Sequence, residues 1–274
     1  LAGDGLREEE RAAIMRLQQD HADVLLAGFG KQPLSEFNHQ SHGALAMLYL
    51  GILFPGLAGA ASLRQTGISI LNHHLARAFY ADGGNVEQMF GYYPFEASIF
   101  RDASLLCAAN RLEPPAGSLP GLANMAAYLH AVAQPDGTMP PVNDSYEMPV
   151  QPTLGTIDAI LRRERPRPEP ASAFFPDTQI AVLRSGPPKK WYLLANPART
   201  IGSHAHAGRL AVNVWFAGKP VLVDSGCCNY DDPALVTWFR TTRAHNTVVI
   251  DGRTDAATSS SALWAPRRET ANRI

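Results

Sequence analysis

The chain has 274 residues, of which 46% are hydrophobic and 18% are charged, and its formal net charge is -1. This composition excludes a disordered chain, and the balanced charge excludes a general electrostatic attraction to nucleic acid. No apolar run is as long as a membrane span, and the three cysteines cannot close a disulfide framework.

The first part of the chain has the pattern of a helical protein. Apolar residues recur at helical spacing up to about Arg165, and proline and glycine separate the periodic segments. Helices are predicted over residues 6–29, 41–54, 62–81, 93–112 and 122–133. Consecutive helices with short connections indicate an antiparallel helical array, so we predict an α-helical domain over residues 1–165.

The last part of the chain has the pattern of a β-protein. Residues 166–172 read as a linker rich in proline and charge, and beyond them the apolar residues alternate with a period of two. Strands are predicted over residues 178–185, 189–197, 209–218, 219–226 and 245–252. We therefore predict an α+β fold, in which a β-sandwich domain over residues 173–274 follows the helices.

Two histidines and an aspartate suggest a metal site at one end of this sheet. His204 and His206 stand two residues apart near a predicted strand, so their side chains would share one face. The following hairpin returns Asp224 towards that strand, and His245 begins another predicted strand. Two imidazoles and a carboxylate suit Zn²⁺. The alternative is that each is a polar residue at a strand end, satisfied by the backbone.

The segment from Ser203 to Gly252 reads SHAHAGRLAVNVWFAGKPVLVDSGCCNYDDPALVTWFRTTRAHNTVVIDG. It resembles the signature region of the heparinase II/III-like polysaccharide lyases, a family that includes heparin, heparan sulfate and oligoalginate lyases. The segments FNHQSHGALAMLYLGILFP and DGGNVEQMFGYYPFEASIFRDA are similar to two further parts of that family. The resemblance implies an incomplete α/α toroid followed by an antiparallel β-sandwich, in a chain truncated at both ends.

The resemblance also implies an activity. Such lyases cleave acidic polysaccharides by β-elimination, which removes the C5 proton of a uronic acid and releases the 4-linked oxygen. The reaction needs a base, an acid and a group that neutralises the uronate carboxylate. The resemblance places catalytic roles on Tyr92, His204, Asn38 and His39. Asn38 is also a plausible N-cap of its helix, which is the structural alternative for that residue.

Further residues are implied to contact the anionic sugar: Tyr230, Arg243 and Glu87. Arg240 is a second arginine candidate, although an exposed arginine is more often only solvated. Tyr93 is a rival to Tyr92, and the register of the family pattern favours Tyr92. Gly208 stands where the family usually has aspartate, so we expect a residue that orients an imidazole to be missing.

Zinc is the implied cofactor, in a structural role, with His206, Asp224 and His245 as its ligands. The implied partner is an acidic polysaccharide or oligosaccharide; nucleic acid and a membrane span are not expected, and the oligomeric state is left open. The resemblance implies a bacterial protein that is periplasmic or secreted. An open position on the zinc would instead allow a zinc-dependent hydrolase, and loss of catalysis would leave a non-catalytic protein that binds acidic carbohydrate.

Overall fold

The computed structural model describes residues 5–36, 38–186, 190–196 and 204–254, and helices form most of it up to Ile160. The helices are α1 (Glu8–Gly28), α2 (Asn38–Leu53), α3 (Ala60–Ala78), α4 (Tyr93–Ala109), α5 (Ser118–Val132), α6 (Gln151–Ile160) and α7 (Pro233–Phe239). Within these described ranges, none of the helices combines the length and the apolar character that crossing a bilayer requires.

Five strands of the described residues form one antiparallel sheet. They are β1 (Ala173–Phe175), β2 (Ile180–Arg184), β3 (Trp191–Asn196), β4 (Ala211–Phe216) and β5 (Lys219–Leu222). The sheet order is β1-β2-β3-β4-β5, so each strand pairs with the strand before it in the chain. Three of the four connections are six residues or shorter, too short to carry the chain across a sheet, and only the connection from β3 to β4 is longer.

The alternation of apolar residues decides which face of the sheet is buried. Ile180 and Val182 of β2 are at most 1% exposed, and so are Tyr192 and Leu194 of β3. Because side chains two residues apart share a face, these four residues form one apolar surface. The end of α5 packs on the sheet, since the hydroxyl group of Tyr192 donates a 2.8 Å hydrogen bond to the carbonyl oxygen of Val132.

The chain divides into two compact units. The first contains the residues up to Arg77 together with Ser98–Ser118, and the second contains Ala78–Ala97 and the chain from Leu119 onward. Helix α2 has buried residues around most of its circumference, as expected of a helix that is covered on several sides. The core of the first unit includes Met47, Leu48, Leu63 and Leu71. The second unit contains the sheet and α5.

The α+β order of helices and antiparallel strands is confirmed, and the predicted strands before residue 227 form as β2 to β5. Helices α6 and α7 and strand β1 were not predicted, because a helix of ten residues or fewer has less than three turns and a strand of three residues hardly alternates. Helix α6 ends at Ile160 and β1 begins at Ala173. The domain limits at residues 1–165, 166–172 and 173–274 stay a prediction.

The predicted strand over residues 245–252 is wrong, because this segment has irregular structure. Asn246 meets Val212 at the beginning of β4, where Val212 donates its N–H to the carbonyl oxygen of Asn246 at 3.2 Å. Further along β4 both edges are occupied by β3 and β5, so the pairing cannot continue. Val248 and Ile250 are consequently 78% and 72% exposed.

The Leu194→Ala variant is expected to lower the free energy of unfolding by about 2–5 kcal/mol, because truncating a fully buried leucine leaves a cavity. Leu183→Ala is the matched control. Leu183 lies on β2 and is 57% exposed, so its loss is expected to change stability by about 0.5 kcal/mol or less. Urea denaturation followed by circular dichroism measures both. Equal losses in the two variants would contradict the assignment of the buried face.

Candidate active site

The phenol of Tyr92 contacts the imidazole of His204. Tyr92 ends a short 3-10 turn, Phe90–Tyr92, immediately before α4. Its Oη atom is 2.7 Å from Nε2 of His204, and the two rings meet edge to face with centroids 5.2 Å apart. His204 is only 3% exposed, whereas Tyr92 is half-buried. A phenol and an imidazole at this distance can exchange a proton.

The adjacent Tyr93 is directed into the core. It is 2% exposed, it stacks on Tyr128, and its hydroxyl group donates a 2.8 Å hydrogen bond to the carbonyl oxygen of Gly83. Burial raises the pKa of Tyr93 well above its usual value. The two neighbouring tyrosines therefore differ in environment, and the geometry favours Tyr92 for proton transfer.

Two further predicted residues surround the ring of His204. Oε2 of Glu87 is 3.5 Å from Nε2 of His204, and Oη of Tyr230 is 3.4 Å from Nδ1. Burial raises the pKa of Tyr230 far above its usual value, and the nearby carboxylate of Asp144 raises it further. The phenol of Tyr230 therefore stays protonated at neutral pH.

The carboxylate of Asp144 joins the two histidines, and the sequence patterns did not point to it. Oδ2 accepts hydrogen bonds from Nδ1 of His204 at 2.8 Å and from Nη2 of Arg240 at 2.6 Å, and Oδ1 contacts Nε2 of His206 at 2.7 Å. Burial alone would raise the pKa of Asp144. The hydrogen bonds from both histidines and the charge of Arg240 outweigh burial and hold the pKa well below its usual range.

Asp144 lies in a loop that binds two distant parts of the chain. Its neighbour Asn143 adopts a positive φ of 60°, donates from Nδ2 to the carbonyl oxygen of Gln88 at 2.8 Å, and accepts the N–H of His206 at 3.0 Å. Ser145 accepts the N–H of Gly91 at 3.3 Å. The only signal in the sequence is a polar triplet, Asn143 to Ser145, beside the apolar and proline-rich stretch at residues 139–142.

The histidine pair differs from the strand geometry that the sequence indicated. His204 and His206 lie in the loop before β4, and both contact the same aspartate instead of lying side by side on a strand. Asp224 follows the end of β5, where its N–H donates to Oδ1 of Asn213 at 2.7 Å. The turn of the hairpin therefore still brings Asp224 back to this region.

The three predicted metal ligands, His206, Asp224 and His245, lie in the same buried region. Nδ1 of His245 is 3.0 Å from both carboxylate oxygens of Asp224, and the rings of His245 and His206 have centroids 5.3 Å apart. All three residues are at most 8% exposed. Gly208 allows this approach, because a Cβ at that position would be only 3.1 Å from the His245 ring.

These donors fit zinc by chemistry, since two imidazoles and a carboxylate are its usual ligands. Nε2 of His245 is buried and makes no hydrogen bond to any described residue, as expected of a nitrogen atom that coordinates a metal ion. In the described part of the chain, however, no group of three His, Cys, Asp or Glu side chains converges closely enough to form a ligand set. The zinc site stays a prediction.

The remaining predicted residues are Asn38, His39 and Arg243, and the remaining rival is Arg240. Asn38 and His39 begin α2 in the first compact unit, whereas the cluster belongs to the second, and their catalytic roles stay predictions. Arg243 is exposed, and its guanidinium donates to the carbonyl oxygen of Gly252 at 3.5 Å. Arg240 is 1% exposed and binds Asp144, so it is a structural partner of the cluster instead of a surface contact for sugar.

The helical part and the β-sheet part of the chain each match a known protein family. The family Heparinase II/III N-terminus matches residues 7–160, and the family Heparinase II/III-like, C-terminal matches residues 167–273. The chain belongs to the heparinase II/III family. The predicted fold, an incomplete α/α toroid followed by an antiparallel β-sandwich, is confirmed by similarity to heparinase III structures.

Two similar proteins are heparin-sulfate lyases. The one from Bacteroides stercoris is 26% identical over 265 residues, which cover 84% of this chain and 38% of the relative. The one from Pedobacter heparinus is 25% identical over 254 residues, which cover 85% and 38%. A crystal structure of heparinase III matches with a TM-score of 0.79 at 20% identity, over 92% of this chain and 44% of that one. The chain thus spans 38% of the length of both curated relatives.

The Gly208→Ala variant is expected to lower the free energy of unfolding by about 1–3 kcal/mol, because its methyl group would press on the ring of His245. Gly155→Ala is the control, since a Cβ there meets no atom within 4 Å and the position is an exposed one inside α6. Alanine at that site is expected to stabilise the helix by roughly 0.5–1 kcal/mol. Urea denaturation measures the free energy of unfolding of both variants. A Gly208→Ala variant as stable as the wild-type protein would refute the close packing of His245.

Proposed function

We propose that the chain carries the proton-transfer residues of a polysaccharide lyase. The enzyme cleaves acidic polysaccharides that contain uronic acid by β-elimination and leaves unsaturated uronate ends. The observation that carries the proposal is the 2.7 Å contact between Oη of Tyr92 and Nε2 of His204. Family membership and two relatives named heparin-sulfate lyase support it. A glycosaminoglycan of the heparan sulfate type is accordingly the first substrate to test.

The chemistry places three demands on the site. The C5–H bond is weakly acidic because the adjacent carboxylate is negative, so that carboxylate must be neutralised by hydrogen-bond donors. A base must then reach the C5 proton, and an acid must protonate the leaving oxygen at C4. We assign the first task to Asn38 and His39, since an amide and an imidazole can both donate to a carboxylate.

Tyr92 and His204 perform the proton transfers in this proposal. The phenol of Tyr92 passes its proton to Nε2 of His204, and the resulting phenolate takes the proton from C5. The electron pair of the C5–H bond forms the C4–C5 double bond as the C4–O bond breaks. Tyr92 and His204 then hold one proton more than at the start. One of these protons goes to the leaving oxygen, and the pair returns to its initial state.

The other residues of the cluster bind the sugar in this proposal. Tyr230 keeps its proton, so it donates a hydrogen bond to the substrate and takes no part as a base. Glu87 accepts hydrogen bonds from sugar hydroxyl groups, since its carboxyl oxygen atoms are acceptors. Arg243 is exposed and cationic, which suits a contact with an anionic chain.

We also propose that His206, Asp224 and His245 hold a zinc ion in a structural role. The ion would supply a fixed link between the loop before β4, the end of β5 and the segment that contains His245. This link would keep the neighbouring His204 in place beside Tyr92. A periplasmic or secreted location stays a prediction from the family resemblance.

The Tyr92→Phe variant is expected to lose about 10²–10⁴-fold in kcat, because phenylalanine cannot transfer a proton. The assay measures the ultraviolet absorbance of the unsaturated product on heparin, heparan sulfate and alginate. Tyr93→Phe is the matched control. The Tyr93 hydroxyl group bonds Gly83 and is directed away from the site, so this variant is expected to keep elimination activity.

Several outcomes would contradict the proposed function. Full activity in Tyr92→Phe would remove that residue from the mechanism. New reducing ends without ultraviolet absorbance would indicate a hydrolase. Retention of oligosaccharide without cleavage of any substrate would indicate a carbohydrate-binding protein.

The purified protein is expected to contain about one zinc ion per chain, and His206→Ala is expected to lose it because two ligands seldom retain zinc. Metal analysis by mass spectrometry measures the content, and thermal unfolding with and without a chelator measures the effect on stability. His21→Ala is the control, since His21 is exposed on α1. A folded wild-type protein without bound zinc, after incubation with the metal, would overturn the ligand assignment.

A further inference from the structure

We infer that Asp144 is a positioning residue that fixes the protons on both His204 and His206, and so connects the proton-transfer pair to the candidate metal ligands. Its role in the reaction rests on the proposed function. The inference itself stands on three contacts of one buried carboxylate: with His204 at 2.8 Å, with His206 at 2.7 Å and with Arg240 at 2.6 Å.

An ionised carboxylate can only accept hydrogen bonds. The side chain of Asp144 is 2% exposed, so water can do little to satisfy it. The guanidinium of Arg240, itself 1% exposed, supplies the compensating charge and keeps the carboxylate ionised. Each imidazole nitrogen that contacts Asp144 must therefore carry a hydrogen atom.

For His204 this places the hydrogen on Nδ1. In the neutral ring the other nitrogen, Nε2, then has a lone pair, and it is this atom that lies 2.7 Å from the phenol of Tyr92. With His204 neutral, Tyr92 donates its O–H to Nε2 at 2.7 Å, whereas Oε2 of Glu87, at 3.5 Å from the same nitrogen, is too distant to fix a hydrogen there. This is the direction of the hydrogen bond that lets His204 take the phenol proton. The opposite tautomer would donate to Tyr92 and could not accept its proton.

For His206 the same carboxylate places the hydrogen on the other nitrogen. Oδ1 of Asp144 faces Nε2, so the lone pair of His206 is on Nδ1. A histidine that binds a metal through one nitrogen commonly donates its second N–H to a carboxylate, which fixes the ring orientation. Asp144 therefore leaves Nδ1 of His206 as the nitrogen that would bind zinc, and it leaves Nε2 of His204 as the nitrogen that can accept a proton.

The backbone around Asp144 fits this double role. The N–H of Asp144 donates to the carbonyl oxygen of His204 at 3.3 Å, and the side chain of Asn143 accepts the N–H of His206 at 3.0 Å. The loop thus holds the main chain on both sides of Ala205 as well as both imidazoles. A shift of Asp144 would move the proton-transfer residue and the metal ligand together.

The first test reads the tautomers directly in the unmodified protein. Nitrogen-15 NMR of histidine-labelled protein separates protonated from unprotonated ring nitrogens, and His204→Gln and His206→Gln variants assign the signals. We expect hydrogen on Nδ1 of His204 and on Nε2 of His206. The reverse tautomer on either ring in the wild-type protein would overturn the inference, whether or not any polysaccharide is cleaved.

The second test is Asp144→Asn, which keeps the size of the side chain but introduces an N–H₂ donor. We expect kcat to fall about 10²–10⁴-fold while KM changes by about threefold or less, because the variant impairs proton transfer more than binding. We also expect the nitrogen-15 signals to show a changed tautomer on at least one of the two histidines. Wild-type kcat together with unchanged tautomers would overturn the inference.

A stability control separates positioning from general damage. Asp144→Asn leaves the charge of Arg240 buried without its partner, so the variant is expected to be less stable. Leu194→Ala lowers stability without touching the site, and below its unfolding temperature we expect near wild-type kcat and unchanged histidine tautomers. An equal loss of kcat in this control would refute the positioning role. If wild-type protein eliminates no substrate, the proposed function fails, and the NMR measurement still decides the role of Asp144.

Discussion

The buried carboxylate of Asp144 is the constraint on which the rest of the candidate site depends. An ionised group in a protein interior is tolerated only when donors surround it. Here the donors are His204, His206 and Arg240, which are 60, 62 and 96 residues away along the chain. Satisfying one charge therefore brings three distant segments to one point. Because the carboxylate can only accept hydrogen bonds, it also decides which nitrogen of each imidazole keeps a lone pair.

The backbone near Asp144 adopts uncommon conformations that support this arrangement. Asn143 and Gln88 both adopt positive φ values, 60° and 53°, and they bond to each other through the Asn143 side chain. Such conformations are uncommon for residues other than glycine and persist when the surroundings hold them. In this case they place Glu87 and the turn that carries Tyr92 beside the loop that carries Asp144. The strained positions thus coincide with the segments that meet at His204.

Sequence patterns predicted much of the fold because periodicity is a local property. The alternation of apolar residues in β2 to β4 predicted these strands, because side chains two residues apart lie on the same face. The same reasoning failed at residues 245–252, whose β-like composition forms no strand in the structure. Propensity describes a segment alone, whereas a strand also needs a free edge to pair with.

The amino-acid sequence by itself determined the α+β class, with a helical part before an antiparallel sheet, and the family to which the chain belongs. It also pointed to Tyr92, His204 and Tyr230, because they sit in recognisable motifs. Only the tertiary structure showed that Asp144 belongs to the site and that the buried Arg240 donates a hydrogen bond to it. The physical reason is that hydrogen bonds between residues 60 or more positions apart depend on the path of the whole chain, which no local pattern records.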